Sequence, residues 1–143
     1  MKIRKATKED FSRIAELINE EYSKPPYHEP WKKKNAIKTL NYFAKVGKIL
    51  VLIEERIIGF IISRDEYYNE GSATMIEELI VDNEFKGRGF GRKLVEYVEK
   101  QGKKKKIKRV LLMASKDAPA FKFYKKMGYI PSKKTVLFRK RLR

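Results

Sequence analysis

Three glycines at alternate positions, Gly87, Gly89 and Gly91, stand in the run Lys86-Gly87-Arg88-Gly89-Phe90-Gly91. This run separates a strand-like stretch, Ile76 to Val81, from a helix-like stretch, Arg92 to Lys100. Glycine lets the backbone turn sharply and leaves its amide hydrogen uncovered. Where a helix begins, the unpaired N–H groups and the helix dipole together favour a phosphate. Arg88 and Arg92 add positive charge beside them. The segment reads as a cradle for a diphosphate.

The rest of the chain alternates strands and helices. Ile3 to Ala6 reads as a short strand, and Thr7 with Asp10 marks a helix start. Phe11, Ile14, Leu17 and Ile18 fall on one face of that helix, which must end before Pro25 and Pro26. An aromatic, proline-rich loop covers Tyr22 to Pro30. A second helix is expected from Trp31 to Ala44, with Ile37, Leu40 and Phe43 inward and Gly47 as its stop. Lys48 to Ile53 and Ile57 to Ser63 form a hairpin, the second strand extending toward Tyr68, and Ala73 to Val81 completes a meander. The helix after the glycine loop carries Leu94, Val95 and Val98 and is expected to close at Gly102. A strand follows from Arg109 to Ala114, then a helix from Ala118 to Met127 capped by Asp117 and ended by Gly128. Tyr129-Ile130 is expected to be extended, and Thr135 to Leu142 to form a last strand.

Composition narrows the function. The chain has 143 residues, 42% hydrophobic and 12% aromatic, which suits one globular domain over residues 1–143. There is no cysteine and a single histidine, His28. A thiol nucleophile and thiolate metal sites are therefore excluded, and a reducing cytoplasm is expected. No apolar run is long enough to span a bilayer. Lys+Arg number 35 against 18 Asp+Glu, a net charge of +17. Such a surface attracts anions, whether nucleic acid or phosphorylated small molecules.

Two common phosphate loops do not fit. A nucleotide P-loop needs Lys-Ser or Lys-Thr after its second glycine, whereas Gly91 is followed by Arg92-Lys93-Leu94. A dinucleotide fingerprint needs a glycine where Arg92 stands, early in a βαβ unit. A third ligand, coenzyme A, offers a pyrophosphate and needs no metal.

Here the chain resembles the GNAT superfamily of acetyl-CoA-dependent N-acetyltransferases. That family's loop is Arg or Gln, two residues, Gly, one residue, then Gly or Ala. Lys86 to Gly91 follows it with Lys86 in the first place. A second family block, opening on Asn and closing on Gly-Phe or Gly-Tyr, is matched by Asp117-Ala118-Pro119-Ala120-Phe121-Lys122-Phe123-Tyr124-Lys125-Lys126-Met127-Gly128-Tyr129, with Asp117 replacing Asn. The resemblance implies an α/β (α+β) fold. A mixed, mostly antiparallel sheet would be flanked by helices on both faces and would contain a parallel strand pair that splays apart. It implies acetyl-CoA as co-substrate, held by Leu79, Ile80, Val81, Lys86, Gly87, Arg88, Gly89, Phe90, Gly91, Arg92, Asp117 and Tyr124. Tyr124 would point at the sulfur as general acid.

For the base, Ile76-Glu77-Glu78-Leu79 matters. Neighbours on a strand face opposite sides, so one glutamate is expected to face the site and the other the opposite layer. Glu77 is the candidate base or amine-orienting carboxylate, by likeness to polyamine-type family members. Tyr22, Tyr27, Tyr67 and Tyr68 are candidates for an aromatic acceptor wall, with His28 and Trp31 nearby. The acceptor class stays open between small-molecule amines and protein amines, and a homodimer is compatible with the sequence. Two alternatives remain: a non-catalytic CoA-binding module, and an RNA- or ribosome-associated basic protein.

Overall fold

Branched and leucine-rich runs build the sheet in the computed structural model, which describes residues 1–143. Its strands are β1 (Lys2–Lys5), β2 (Lys48–Ile53), β3 (Ile57–Tyr68), β4 (Gly71–Val81) and β5 (Arg109–Leu112), and they lie in sequence order. Every neighbouring pair is antiparallel except β4 and β5, which run parallel. The helices are α1 (Phe11–Ser23), α2 (Lys33–Val46), α3 (Phe90–Lys104) and α4 (Pro119–Lys126). The residues group into two units, Met1–Met113 and Ala114–Arg143. The first holds the sheet with α1 to α3. The second holds α4.

Alternation along the strands sorts the core into two layers. Ile49, Val51, Phe60, Ile62 and Ile80 pack with Phe11, Ile14, Leu17 and Ile18 of α1 and Leu40 of α2. The opposite face meets α3: a Cβ built on Gly59 would lie 3.5 Å from Leu94. The apolar stripes expected on α1 and α3 are the faces these helices bury. The α/β (α+β) class, the helices on both faces and the single parallel pair all hold.

The start of α1 is fixed by charge as well as pattern. The Asp10 carboxylate accepts the Thr7 N–H at 2.7 Å and a two-pronged contact from Arg4 at 2.8 and 3.0 Å. The Arg4 guanidinium, aided by Thr7, holds the Asp10 carboxyl below its ordinary range despite its burial.

Several boundaries differ from expectation. α2 begins at Lys33 rather than Trp31, and Gly47 caps it. α3 does not close at Gly102 but runs to Lys104. Lys106 takes the left-handed conformation (φ 62°), Ile107 N–H bonds Gly102 O at 2.9 Å and Lys106 N–H bonds Lys103 O at 3.1 Å. That pairing is a Schellman closure. Gly102 serves it as a packing site, since a Cβ there would meet Ile107 at 3.5 Å. At α4, Ala118 and not Asp117 occupies the N-cap, with no side-chain bond to the helix. Pro119 explains this: it fills the first helical position, lacks an N–H to satisfy, and holds Ala118 extended. Finally, no strand forms from Thr135 to Leu142. Ser132 Oγ accepts the Thr135 N–H at 2.9 Å, which turns the chain, and Leu137 and Phe138 lie exposed. No strand of the sheet pairs with this segment, and an unpaired run cannot make a ladder.

Candidate active site

The site grows from the C-terminal half of β4. The β4–β5 ladder runs from Ala73↔Arg109 to Ile76↔Leu112 and stops there. β4 continues to Val81 with β3 alone as partner, pairing Leu79↔Ile61 and Val81↔Gly59. A strand residue presents its N–H and C=O to one edge and the next residue to the other. Asp82 N–H donates to Ile58 O at 2.7 Å, toward β3. Ile80 and Glu78 therefore also face β3, and Leu79 and Val81 face the edge that β5 has left. Leu79 and Val81 thus present their main-chain groups to that edge. The Ile80 main chain serves β3, and its side chain lies in the core with α1.

Beyond β4, Asp82 caps a short turn of 3-10 helix, Asn83–Phe85, by accepting the Glu84 N–H at 3.0 Å. The glycine loop follows. Gly87 (φ 78°) and Gly89 (φ 83°) are both left-handed, and a Cβ added to either would meet nothing within 4 Å. Gly89 is the N-cap of α3 and brings no side chain to it. The first helical bond runs from Lys93 N–H to Gly89 O at 3.1 Å. The N–H groups of Phe90, Gly91 and Arg92 lie ahead of that ladder. Open space at Gly87 and Gly89, beside a helix start whose first amides have no helical partner, fits a diphosphate.

The flanking charges divide. The Arg88 guanidinium lies over the Phe85 ring at 5.2 Å, and Arg92 reaches Glu96 at 3.5 Å. Lys86, at the family's Arg or Gln position, turns instead to α1, where its ammonium meets Glu21 Oε1 at 2.5 Å. Burial holds that ammonium below its ordinary range.

The two glutamates do not follow strand alternation. The β3–β4 register steps from Ile62↔Glu78 to Ser63↔Ile76, leaving Glu77 as the extra residue of a β-bulge. Both carboxylates consequently lie toward the α1 side. Glu77 takes the Arg64 Nε at 2.8 Å, and Arg64 also pairs with Glu66. Glu78 Oε1 accepts the Tyr22 hydroxyl of α1 at 2.6 Å. Burial pushes the Glu78 carboxyl up to about 7; the Tyr22 hydrogen bond opposes the rise, and the negative charges of Glu21 and Glu77 add to it. Burial, then the Glu78 charge, pushes the Tyr22 phenol far above its ordinary value, so it stays a donor.

Around Tyr22 the structure brings together some of the expected aromatic residues. Its ring meets Tyr27 at 4.8 Å and Trp31 at 5.9 Å. Glu29 N–H donates to Tyr22 O at 2.6 Å and Trp31 N–H to Asn19 Oδ1 at 2.8 Å, folding the loop back onto α1. Tyr67 and Tyr68 lie elsewhere, at the Gly71 end of β4. About 23 Å of strand, at roughly 3.3 Å per residue, separates that end from Glu78. His28 sits in the loop with φ 48° and its N–H on Lys24 O.

In the second unit, α4 carries Tyr124. Its side chain is 7% exposed, and its ring meets Phe123 at 5.0 Å and Tyr129 at 5.4 Å. Asp117 lies in the turn before α4, its N–H 3.3 Å from Ser115 Oγ.

The acetyltransferase (GNAT) family model matches residues 11–129. The chain belongs to the GNAT acetyltransferase family. Solved structures agree on the fold. A possible acetyltransferase from Clostridium difficile 630 aligns with TM-score 0.85 at 18% identity, covering 99% of this chain and 98% of that one. An aminoglycoside acetyltransferase from an uncultured soil metagenomic sample, in complex with sisomicin, aligns with TM-score 0.73 at 23% identity over 99% and 96%. A transcriptional regulator from Bacillus halodurans C-125 aligns with TM-score 0.76 at 19% identity over 96% and 98%. At these identities the likeness is one of fold. No curated protein matches the sequence.

For this GNAT acetyltransferase, sequence reasoning missed Glu78 and its bond to Tyr22. A pair of adjacent glutamates gives no sign of which is buried, because the bulge that decides it comes from pairing with β3. No three His, Cys, Asp or Glu side chains are grouped to hold a metal ion, and no helix is long and apolar enough to cross a membrane.

Proposed function

We propose that the protein is an N-acetyltransferase using acetyl-CoA, with transfer by direct attack of a primary amine. The observation that carries this reading is the left-handed glycine turn ahead of α3, with open space at Gly87 and Gly89, one short 3-10 turn beyond a strand whose edge at Leu79 and Val81 carries no β5 pairing. When bound, acetyl-CoA supplies an acyl group activated as a thioester. The amides of Arg88, Gly89, Gly91 and Arg92 hold its diphosphate, with Gly87 and Phe90 shaping the turn. Leu79 and Val81 give main-chain hydrogen bonds to the pantetheine arm, in the manner of an added strand.

Glu78 takes the proton from the incoming ammonium. A carboxyl titrating near neutrality is suited to that work, because it is both ionised and basic enough at working pH. Glu77, clamped by Arg64, orients the amine. Tyr124 returns a proton to the departing sulfur; this role rests on the block from Asp117 to Tyr129. The acceptor is a small-molecule or protein amine, and Tyr22, Tyr27 and Trp31 offer it aromatic faces.

The net charge of +17 favours a second reading, a basic RNA- or ribosome-associated protein. One experiment separates them. Acetyl-CoA should raise the melting temperature at low and high salt alike, and a panel of amines should release free thiol in its presence. A protein that melts identically with and without acetyl-CoA, and releases no thiol with any amine, is not an acetyltransferase.

A further inference from the structure

Glu78 is reached by only one hydrogen-bond donor side chain, and that donor comes from a different element. Tyr22 lies in the last turns of α1, ahead of the loop that carries Tyr27, His28 and Trp31. Its hydroxyl is 2.6 Å from Glu78 Oε1, its ring is packed by Tyr27 and Trp31, and its carbonyl accepts the Glu29 N–H. The phenol is therefore held at three points by the same loop. No other part of the loop makes a hydrogen bond to β4.

We propose that Tyr22 is a positioning residue for Glu78, fixing the carboxylate through its hydroxyl and thereby tying the acceptor loop to the base. The proposal rests on the reading of Glu78 as the group that takes the amine's proton. One oxygen of Glu78 is occupied by the phenol, so the second is the one left to meet an amine. A hydrogen bond to the ionised form also lowers the pH at which the carboxyl becomes a base. The groups facing Glu78 otherwise act in the opposite direction. Glu21 comes from α1 and Glu77 from β4, and Tyr27 from the loop also senses the Glu78 charge. The cations nearby are spoken for: Lys24 and Lys86 sit on Glu21, and Arg64 sits on Glu77. Tyr22 is thus the one polar contact that favours the ionised carboxylate.

The test is Tyr22→Phe, which removes one oxygen and keeps the ring that packs with Tyr27 and Trp31. Two measurements are made on the full chain. Carbon-detected NMR follows the Glu78 carboxyl, assigned with Glu78→Gln, and steady-state assays follow the acid limb of kcat/KM for the amine. The Glu78 midpoint is expected to rise by about one pH unit in Tyr22→Phe, as for loss of a single charge-assisted hydrogen bond. The acid limb should move with it while acetyl-CoA affinity stays unchanged. An unmoved midpoint overturns the proposal. A midpoint that moves while the rate limb stays in place also overturns it, and assigns the failure to Glu78 as base rather than to the bond. A protein with no transferase activity leaves the midpoint as the deciding measurement, since that readout needs no turnover.

Discussion

Arg13 reaches from helix α1 to Asp82, just past the end of β4, with Nη2 2.5 Å from Oδ2. The same guanidinium donates from Nε to Ile57 O at 3.0 Å. Asp82 is 6% exposed, and its other oxygen caps the turn that leads into the glycine loop. One carboxylate therefore joins α1, the start of β3 and the turn that leads into the glycine loop.

Asp82→Ala should cost about 3 kcal/mol, because it leaves a partly buried guanidinium unpaired and the turn uncapped. Burial alone would raise the Asp82 carboxyl, but the Glu84 amide and the Arg13 guanidinium outweigh it and hold the group below 3.8. Its stabilising contribution is present above that ordinary value and is lost as pH falls through the folded one. Urea titration of both proteins should show the gap between them closing in strong acid.

Gly89→Val should weaken acetyl-CoA binding by on the order of a hundredfold, since a side chain would project into the open space before the α3 amides. Left-handed backbone at a β-branched residue adds a stability loss of about 1–2 kcal/mol. Calorimetric titration with acetyl-CoA checks the first effect and melting without ligand the second. Undiminished affinity would remove the diphosphate from this loop.

Glu78→Gln should lower kcat about a hundredfold, the usual scale for losing a general base. Its effect on stability has the opposite sign. The folded carboxyl titrates near 7 against 4.5 ordinarily, so folding favours the protonated form. That stabilisation is complete below about 4.5 and disappears as pH rises through about 7. The glutamine variant should therefore exceed the wild type by up to about 3 kcal/mol at about pH 8, with the advantage fading toward pH 5. Glu77→Gln, which loses only the Arg64 pair, should act mainly on KM for the amine.

Tyr124→Phe should reduce turnover at least tenfold while acetyl-CoA affinity is largely kept, because the ring remains and only the proton donor is lost. Single-turnover assays with excess enzyme make the comparison. Equal rates would take Tyr124 out of the chemistry.

Most of the sheet and all four helices were legible because their signals are local. Phe11, Ile14, Leu17 and Ile18 repeat at helical spacing, and Pro25-Pro26 stops α1 whatever surrounds it. The glycine turn was legible for the same reason, as left-handed backbone at Gly87 and Gly89 is written in residue type. What was not legible depends on partners. Gly102 looks like a helix stop until Ile107 is seen packing on it. Asp117 looks like a cap until Pro119 claims the first turn. Thr135 to Phe138 has strand-forming residues but joins no ladder. The roles of Glu77 and Glu78 depended on register with β3, which no short motif encodes.

The bulge at Glu77 changes the parity of β4. Thr74 and Ile76, before it, share the α3 side with Asp65 and Ser63. Glu78 and Ile80, after it, point the other way, into the layer of Tyr22 and Ile14. A strand of the same length that kept Glu77 in regular alternation would carry the following letters on inverted faces. The acidic group would then be stranded against the aliphatic side of α3, and the α1 phenol would have nothing to hold. The placement of Glu77 and Glu78 thus hangs on an odd count rather than on any one side chain.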